Sequence, residues 1–268
     1  MSGPSNPWEG ARRYQGGMHE KRVALVTGAN QGIGLQIAKE LAARFTVYLG
    51  SRDLAKGEAA AKSLTGDVRA IQLDVTDQAS IAAAAKRIRD EVGRLDVLVN
   101  NAAISNTTMR EGDTVQAYAA RTRASTISLD EVRAIWETNV FGALAVYQAV
   151  FPLLREAPEG RIVNVSSGVG SLTSNSDPSA PYRGIFGPGY SASKAAMNAM
   201  SVAMAIECEG TRIKVNACSP GFTKTNLNGY QGTETVEQGA SEAVRLAQIG
   251  PDGPSGTFSH ATLGILPW

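Results

Sequence analysis

The chain has 268 residues, of which 43% are hydrophobic and 19% are charged, and its formal net charge is +1. This ordinary globular composition is enough to bury the core of one large α/β domain. The nearly neutral charge gives no broad attraction for nucleic acid or an anionic membrane, so we expect neither as a partner. A small molecule is therefore the expected ligand.

Cysteine content and hydropathy predict the compartment. Only Cys208 and Cys218 occur, which fits a reducing environment and provides no disulfide framework. No uncharged apolar run approaches the ~18 residues of a membrane span, and the first residues lack the pattern of a secretory signal. We therefore expect a cytoplasmic protein, with residues 1–20 as a mobile tail and residues 21–268 as a single domain.

The first predicted element pair is a strand, a tight turn and a helix within residues 23–41. Val23 to Val26 form an apolar run, and apolar residues recur at helical spacing after the turn. Gly28, Gly32 and Gly34 allow a bend with positive φ, approach of a ligand to the backbone and close helix packing. The N-terminus of that helix would face an anion such as a dinucleotide pyrophosphate. The alternative is a glycine-rich turn without a ligand.

The second predicted strand ends in Ser51 and Arg52, which precede the first acidic residue, Asp53. In dinucleotide-binding folds this strand end lies beside the adenosine ribose, where a carboxylate binds the 2′-hydroxyl and a cation binds a 2′-phosphate. The residue order therefore favours NADP(H) over NAD(H). The alternative is an exposed Arg52 followed by Asp53 as the N-cap of the next helix.

Strands and helices continue to alternate along the chain, without an internal repeat. Further strands are predicted at residues 68–75, 95–103, 160–167, 212–219 and 257–258, and helices at 54–64, 76–92, 128–154, 190–210 and 235–248. The segments 104–127 and 168–189 are interpreted as long loops. Because each parallel crossover needs a helix, this pattern predicts a doubly wound parallel sheet with helices on both faces.

A tyrosine and a lysine, Tyr190 and Lys194, open one of these helices at i and i+4, so they share a helical face. A nearby cation favours the phenolate and lowers the pKa of a tyrosine, which suits acid-base chemistry. The pair alone is weak evidence because surface tyrosines and lysines often have this spacing. It gains weight because Ser167 ends the preceding strand.

Taken in order, these motifs resemble the short-chain dehydrogenase/reductase family, and the resemblance extends from Lys21 to the end of the chain. It rests on the turn from Thr27 to Gly34, Asp74, Asn100-Asn101-Ala102, Asn139, Ser167, Tyr190, Lys194 and Pro220-Gly221. The resemblance implies a Rossmann-like fold of about seven strands in the order 3-2-1-4-5-6-7, with NAD(P) across the carboxyl edge of the sheet.

The resemblance also implies a catalytic set of Asn139, Ser167, Tyr190 and Lys194. Ser167 would hydrogen-bond the substrate oxygen, and Tyr190 would protonate it while hydride arrives from the nicotinamide. Lys194 would bind the nicotinamide ribose, and Asn139 would interrupt its helix and hold a water. The implied cofactor contacts are Gly28, Asn30, Gln31, Gly32, Ile33, Gly34, Ser51, Arg52, Asp74, Val75, Asn101, Ala102, Tyr190, Lys194, Pro220, Gly221 and Thr223.

Within the family, residues 216–226 and 253–258 and the extended segment between the serine and the tyrosine resemble carbonyl reductases. The expected function is NADPH-dependent reduction of an aldehyde, ketone or quinone. Alcohol oxidation is one alternative, and a cofactor-binding regulatory protein without turnover is another. A serine hydrolase is disfavoured because the only histidines are His19 and His260. These histidines and the scattered cysteines also predict no metal site.

The segment 168–189 is expected to form a wall of the substrate pocket because both of its ends lie at the catalytic centre. Long loops in compact domains are usually functional or disordered, and this one carries the apolar side chains of Leu172, Tyr182, Ile185 and Phe186. The alternative is a solvated surface excursion. Such a segment could also obstruct the helix faces through which relatives associate, so both a homo-oligomer and a monomer stay open.

Overall fold

The computed structural model describes residues 21–110 and 112–268, and the predicted N-terminal tail lies outside them. The strands of the described residues are β1 Arg22–Val26, β2 Phe45–Ser51, β3 Val68–Gln72, β4 Val97–Asn100, β5 Arg161–Val165, β6 Lys214–Cys218, β7 Thr257–His260 and β8 Gly264–Ile265. They form one sheet in the order β3-β2-β1-β4-β5-β6-β7-β8. The first seven strands are parallel, so their expected order is confirmed. The short β8 pairs antiparallel to β7 and was not predicted.

Helices cover both faces of this sheet. Across the same residues they are α1 Gly32–Leu41, α2 Leu54–Lys62, α3 Gln78–Val92, α4 Val115–Arg121, α5 Leu129–Trp136, α6 Ala143–Glu156, α7 Leu172–Ser176, α8 Tyr190–Glu207 and α9 Val236–Ala247. None of these described helices has the length and apolar character needed to cross a membrane.

The core lies in two layers, one on each side of the sheet. Within β1, Val23 and Leu25 pack on the face covered by α3, α6 and α8, whereas Ala24 and Val26 pack on the face covered by α1 and α9. This alternation follows from strand geometry, in which successive side chains point to opposite faces. The central strands are buried on both faces, which explains their nearly continuous apolar sequence.

Two segments that we predicted as loops contain regular structure. Residues 104–127 include α4, whose N-cap Thr114 accepts a hydrogen bond from the backbone of Ala117. Residues 168–189 include α7 and two 3₁₀ turns. No residue of α4 or α7 is fully buried, so neither helix requires the apolar periodicity that identified the longer helices from the sequence.

The helix predicted over residues 128–154 is also divided. Its N-cap is Ser128, whose side chain accepts a hydrogen bond from the backbone of Glu131, but a π-helical turn at Glu137–Gly142 separates α5 from α6. A Cβ atom on Gly142 would lie 2.6 Å from the carbonyl oxygen of Val75, so the turn packs closely against the segment that follows β3. The expected interruption of this helix at Asn139 is therefore confirmed.

Candidate active site

The turn between β1 and α1 depends on its glycines. Gly28 and Gly32 have φ values of 61° and 57°, in the left-handed region that residues with a Cβ seldom adopt. Gly34 has ordinary helical geometry, but a Cβ atom there would lie 2.4 Å from Nδ2 of Asn101 and 2.6 Å from the carbonyl oxygen of Gly28. The turn therefore fits tightly against the end of β4, as the spacing of the glycines predicted.

Thr27 and Asn101 hold this turn in place. Nδ2 of Asn101 donates hydrogen bonds to the carbonyl oxygens of Thr27, at 2.9 Å, and Gly28, at 3.1 Å. The hydroxyl of Thr27 in turn accepts from the backbone N–H groups of Asn101, at 3.0 Å, and Ala102, at 2.9 Å. Besides lining the site, Asn101 thus stabilises the glycine turn, a role that sequence reasoning did not assign.

A groove that is open to solvent runs along the carboxyl ends of the strands. It brings together most of the predicted cofactor residues: Gly28, Asn30, Gln31, Gly32, Ile33, Gly34, Arg52, Asp74, Val75, Asn101, Ala102, Tyr190 and Lys194. The first-turn N–H groups of α1 have no intrahelical partners, and no side chain caps them from Gln31. A long groove with such donors at one side and the exposed Arg52 at its edge fits a dinucleotide.

The four other predicted cofactor residues lie outside the lining of this groove. Ser51 is buried, and its hydroxyl donates to the carbonyl oxygen of Asp53 at 2.7 Å. Pro220 accepts a bond from the buried hydroxyl of Thr223 at 2.7 Å. Gly221 and Thr223 line a second cavity instead.

The residues that follow β2 confirm the N-cap interpretation, whereas the NADP(H) preference stays a prediction. Asp53 caps α2, because its side chain accepts a hydrogen bond from the backbone of Lys56 at 3.2 Å. Arg52 is exposed and lines the groove. Asp53 itself does not line the groove, whereas Arg52 and Asp74 do.

Asn139 is completely buried within the π-helical turn. Its Nδ2 donates to the carbonyl oxygen of Ile104 at 2.8 Å and to the hydroxyl of Ser193 at 3.0 Å, and its Oδ1 accepts from the N–H of Ile104 at 2.9 Å. The side chain thus joins the chain after β4 to α8. Its predicted contact with a water stays a prediction.

The two serines at the end of β5 differ in their surroundings. The hydroxyl of Ser166 is buried and donates to Oδ1 of Asn198 at 2.5 Å. Ser167 is half-buried and lines the second cavity together with Tyr190. Because the hydroxyl of Ser166 is occupied by α8, the geometry supports the choice of Ser167 as the serine that faces a substrate.

Burial dominates the protonation of the tyrosine and lysine. Nζ of Lys194 donates to the carbonyl oxygen of Val165 at 2.8 Å and lies 5.7 Å from the ring centroid of Tyr190. Burial lowers the pKa of Lys194 to about 8. Burial also raises the pKa of Tyr190 to about 12, against a smaller lowering by its hydrogen bond with Ser167. The net shift is therefore upward, and the phenol keeps its proton at neutral pH. The expected lowering of this pKa by Lys194 stays a prediction.

The second cavity, which is open at its mouth, is lined mainly by apolar groups from three segments. Ile185 and Phe186 line it, as predicted, whereas Leu172 and Tyr182 are more than half exposed and do not. The other apolar walls were not predicted: Met109, Val115, Tyr118, Ala119 and Ile127 come from the segment before α5, and Phe222 and Leu227 from the segment after β6. We call this cavity the substrate pocket below.

The family described as short chain dehydrogenase matches residues 22–235 of the chain. Since this match covers well over half of the chain, the protein belongs to the short-chain dehydrogenase/reductase family and is an NAD(P)-dependent oxidoreductase. Its sequence is 34% identical over 284 residues to carbonyl reductase 1 (NADPH) of Pongo abelii, covering 90% of this chain and 96% of that protein.

Solved structures show the same likeness. Salutaridine reductase from Papaver somniferum superposes with a TM-score of 0.75 at 29% identity, covering 90% of this chain and 100% of that one. The NADPH-bound carbonyl reductase from chicken fatty liver has a TM-score of 0.76 at 25% identity, covering 93% of this chain and 100% of that one. The predicted Rossmann-like doubly wound fold is confirmed.

Proposed function

We propose that the protein reduces the carbonyl group of an aldehyde, ketone or quinone to an alcohol, with NADPH as the hydride donor and Tyr190 as the general acid. One observation carries this proposal: Tyr190 lines both the dinucleotide-sized groove and the apolar substrate pocket. A proton on its Oη thus lies where a cofactor and a carbonyl substrate would meet. The similarity to carbonyl reductases supports the same reaction.

In this mechanism the cofactor supplies the hydride, and the side chains of the chain orient the reactants and move the proton. Ser167 and Tyr190 both face the substrate pocket, so both hydroxyls can bind the carbonyl oxygen. Because its pKa is raised to about 12, Tyr190 holds its proton at neutral pH and donates it as negative charge develops on that oxygen. Lys194, at the groove, binds the ribose beside it.

The remaining cofactor contacts follow the groove. The glycine turn and the N-terminus of α1 receive the pyrophosphate, and Arg52 receives the 2′-phosphate. Asp74 would face the adenine, and Val75, Asn101 and Ala102, which also line the groove, would contact the cofactor. We place this reaction in the cytoplasm, as the cysteine content predicts.

The reaction is tested by following NADPH oxidation with a panel of aldehydes, ketones and quinones, and NADP reduction with the matching alcohols. We expect reduction to be faster than oxidation at neutral pH. NADPH binding without turnover in either direction would favour a regulatory protein. Faster alcohol oxidation than carbonyl reduction under the same conditions would assign the protein as an alcohol dehydrogenase.

Arg52→Ala is expected to raise the KM for NADPH about 10- to 100-fold and to change the KM for NADH less than about twofold, because charge-assisted hydrogen bonds contribute ~1.5–3 kcal/mol. Steady-state kinetics with each cofactor measures the difference. Lys56→Ala is the matched control, since it removes an exposed cation from α2 that does not line the groove. Equal losses for both cofactors would remove the basis for an NADPH preference.

The expectation that the segment 168–189 forms a wall of the substrate pocket can be tested at its two lining residues. The double variant Ile185→Ala/Phe186→Ala should change the ranking of carbonyl substrates by kcat/KM by about tenfold, since each side chain contributes ~1.5–3 kcal/mol when fully buried and less here. NADPH affinity should stay unchanged. Tyr182→Ala, in the same segment but outside the pocket lining, should leave the ranking intact. A ranking unchanged in the double variant would show that these residues do not touch the substrate.

A further inference from the structure

The outer side of the substrate pocket is formed by residues 112–127, which we call the wall segment. Val115, Tyr118, Thr122 and Ile127 of this segment line the pocket. None of the side chains of α4 within it is fully buried, so its position depends on specific contacts with the rest of the protein more than on core packing.

Glu131 of α5 provides one of these contacts. Its carboxylate is only 3% exposed and accepts hydrogen bonds from the N–H of Thr107, at 2.8 Å, from the hydroxyl of Thr107, and from the hydroxyl of Tyr118, at 2.5 Å. Burial acts to raise the pKa of Glu131, but these hydrogen bonds outweigh it, and the pKa lies below its usual value. A buried carboxylate, both of whose oxygens accept hydrogen bonds, therefore holds Tyr118 next to α5.

Gln231 provides a second contact, on the other side of the pocket. Its Oε1 accepts from the N–H of Val115 at 3.1 Å, and its Nε2 donates to the carbonyl oxygen of Asp113 at 3.0 Å. This amide joins the start of α4 to the segment after β6 that supplies Phe222 and Leu227 to the pocket. The wall segment is thus held at two separate places, to α5 through Glu131 and to the segment after β6 through Gln231.

The side chains that line the substrate pocket are uncharged. Among the described residues that line it, none is Asp, Glu, Lys, Arg or His. The carboxylate of Glu131, which accepts the hydrogen bond of Tyr118, adds negative charge next to the lining. An anionic substrate would lose its hydration without meeting a counter-charge, which is costly.

We propose that Glu131 is a positioning residue that holds Tyr118 and the wall segment beside the substrate pocket, and that the wall held in this position restricts the enzyme to uncharged, mainly apolar carbonyl compounds. This inference rests on the proposed carbonyl reduction in the same pocket. Glu131 acts through Tyr118 and does not itself line the pocket.

The test uses two aldehydes of similar shape that differ in charge, methyl 4-formylbenzoate and 4-formylbenzoate, with NADPH. We expect wild-type kcat/KM to favour the ester at least about 100-fold, because the acid must bury an unpaired carboxylate. In Glu131→Ala, Tyr118 loses its acceptor and the wall opens to water. The KM of this variant for the ester should rise about tenfold, whereas its kcat should change less than about threefold. The ratio of kcat/KM for the ester to kcat/KM for the acid should fall about tenfold.

Three further variants separate positioning from general damage. Glu131→Gln keeps an acceptor oxygen and should restore the KM for the ester to within about threefold of wild type. Tyr118→Phe removes only the hydroxyl that donates to Glu131, so it should also raise the KM for the ester and lower the preference for it. The double variant Glu131→Ala/Tyr118→Phe should differ little from Glu131→Ala alone. Asp130→Ala, an exposed carboxylate of the same helix, should leave the KM and the preference unchanged.

Amide hydrogen exchange of residues 112–127, measured without substrate, should be faster in Glu131→Ala than in wild type and unaffected by Asp130→Ala. A Glu131→Ala or Tyr118→Phe enzyme that turns over the ester with wild-type KM and wild-type preference would overturn the inference while leaving carbonyl reduction intact. A wild-type protein that reduces neither aldehyde nor any compound of the carbonyl panel would instead overturn the proposed function.

Discussion

Tyr190→Phe is expected to lower kcat for carbonyl reduction at least about 100-fold, since general acid catalysis supplies 10²–10⁴-fold, while NADPH affinity stays within about twofold. The substitution removes only the phenolic hydroxyl from a side chain that lies between the groove and the substrate pocket. Burial keeps the proton on that hydroxyl by raising the pKa of Tyr190 to about 12. Stopped-flow NADPH oxidation and a fluorescence titration of NADPH measure the two quantities separately.

Tyr182→Phe is the matched control for this variant, because the same atom is removed from an exposed tyrosine of the neighbouring segment. It should retain wild-type kcat. A Tyr190→Phe enzyme that keeps more than about a tenth of wild-type kcat would exclude Tyr190 as the general acid. In that case Ser167, which also faces the substrate pocket, would be the next residue to test.

Gly34→Ala is expected to lower NADPH affinity at least about tenfold and the free energy of unfolding by about 1–3 kcal/mol, the usual cost of overpacking. The added methyl group would lie 2.4 Å from Nδ2 of Asn101 and 2.6 Å from the carbonyl oxygen of Gly28. It would displace the amide that holds the glycine turn at Thr27 and Gly28. This strain exceeds the ~1 kcal/mol that alanine gains over glycine inside a helix.

Titration with NADPH and thermal unfolding of the protein without cofactor measure the two effects of Gly34→Ala. Gly250→Ala serves as the control, because a Cβ atom there meets nothing within 4 Å and the backbone does not require positive φ. The control should bind NADPH normally and should not lose stability. Wild-type affinity in Gly34→Ala would mean that the turn relaxes without disturbing the cofactor groove.

The sequence by itself determined the alternation of strands and helices, the glycine turn and the family. These features are local or periodic: an apolar run of a few residues predicts a buried strand, and glycine spacing predicts the turn that follows it. The family resemblance then supplied the strand order, which no local pattern contains. It also supplied the interruption at Asn139, which the structure realises as a π-helical turn.

Only the tertiary structure decided how the site is built around these motifs. The pKa of Tyr190 depends on burial by the surrounding chain, and the effect of this burial is larger than the lowering by the hydrogen bond with Ser167. The walls of the substrate pocket join residues that are distant in sequence, as in the bond from Val115 to Gln231, 116 positions apart. The buried carboxylate of Glu131 looks, in the sequence, like an ordinary acid in the first turn of a capped helix. Because hydrogen bonding and desolvation depend on all surrounding atoms, no local pattern encodes them.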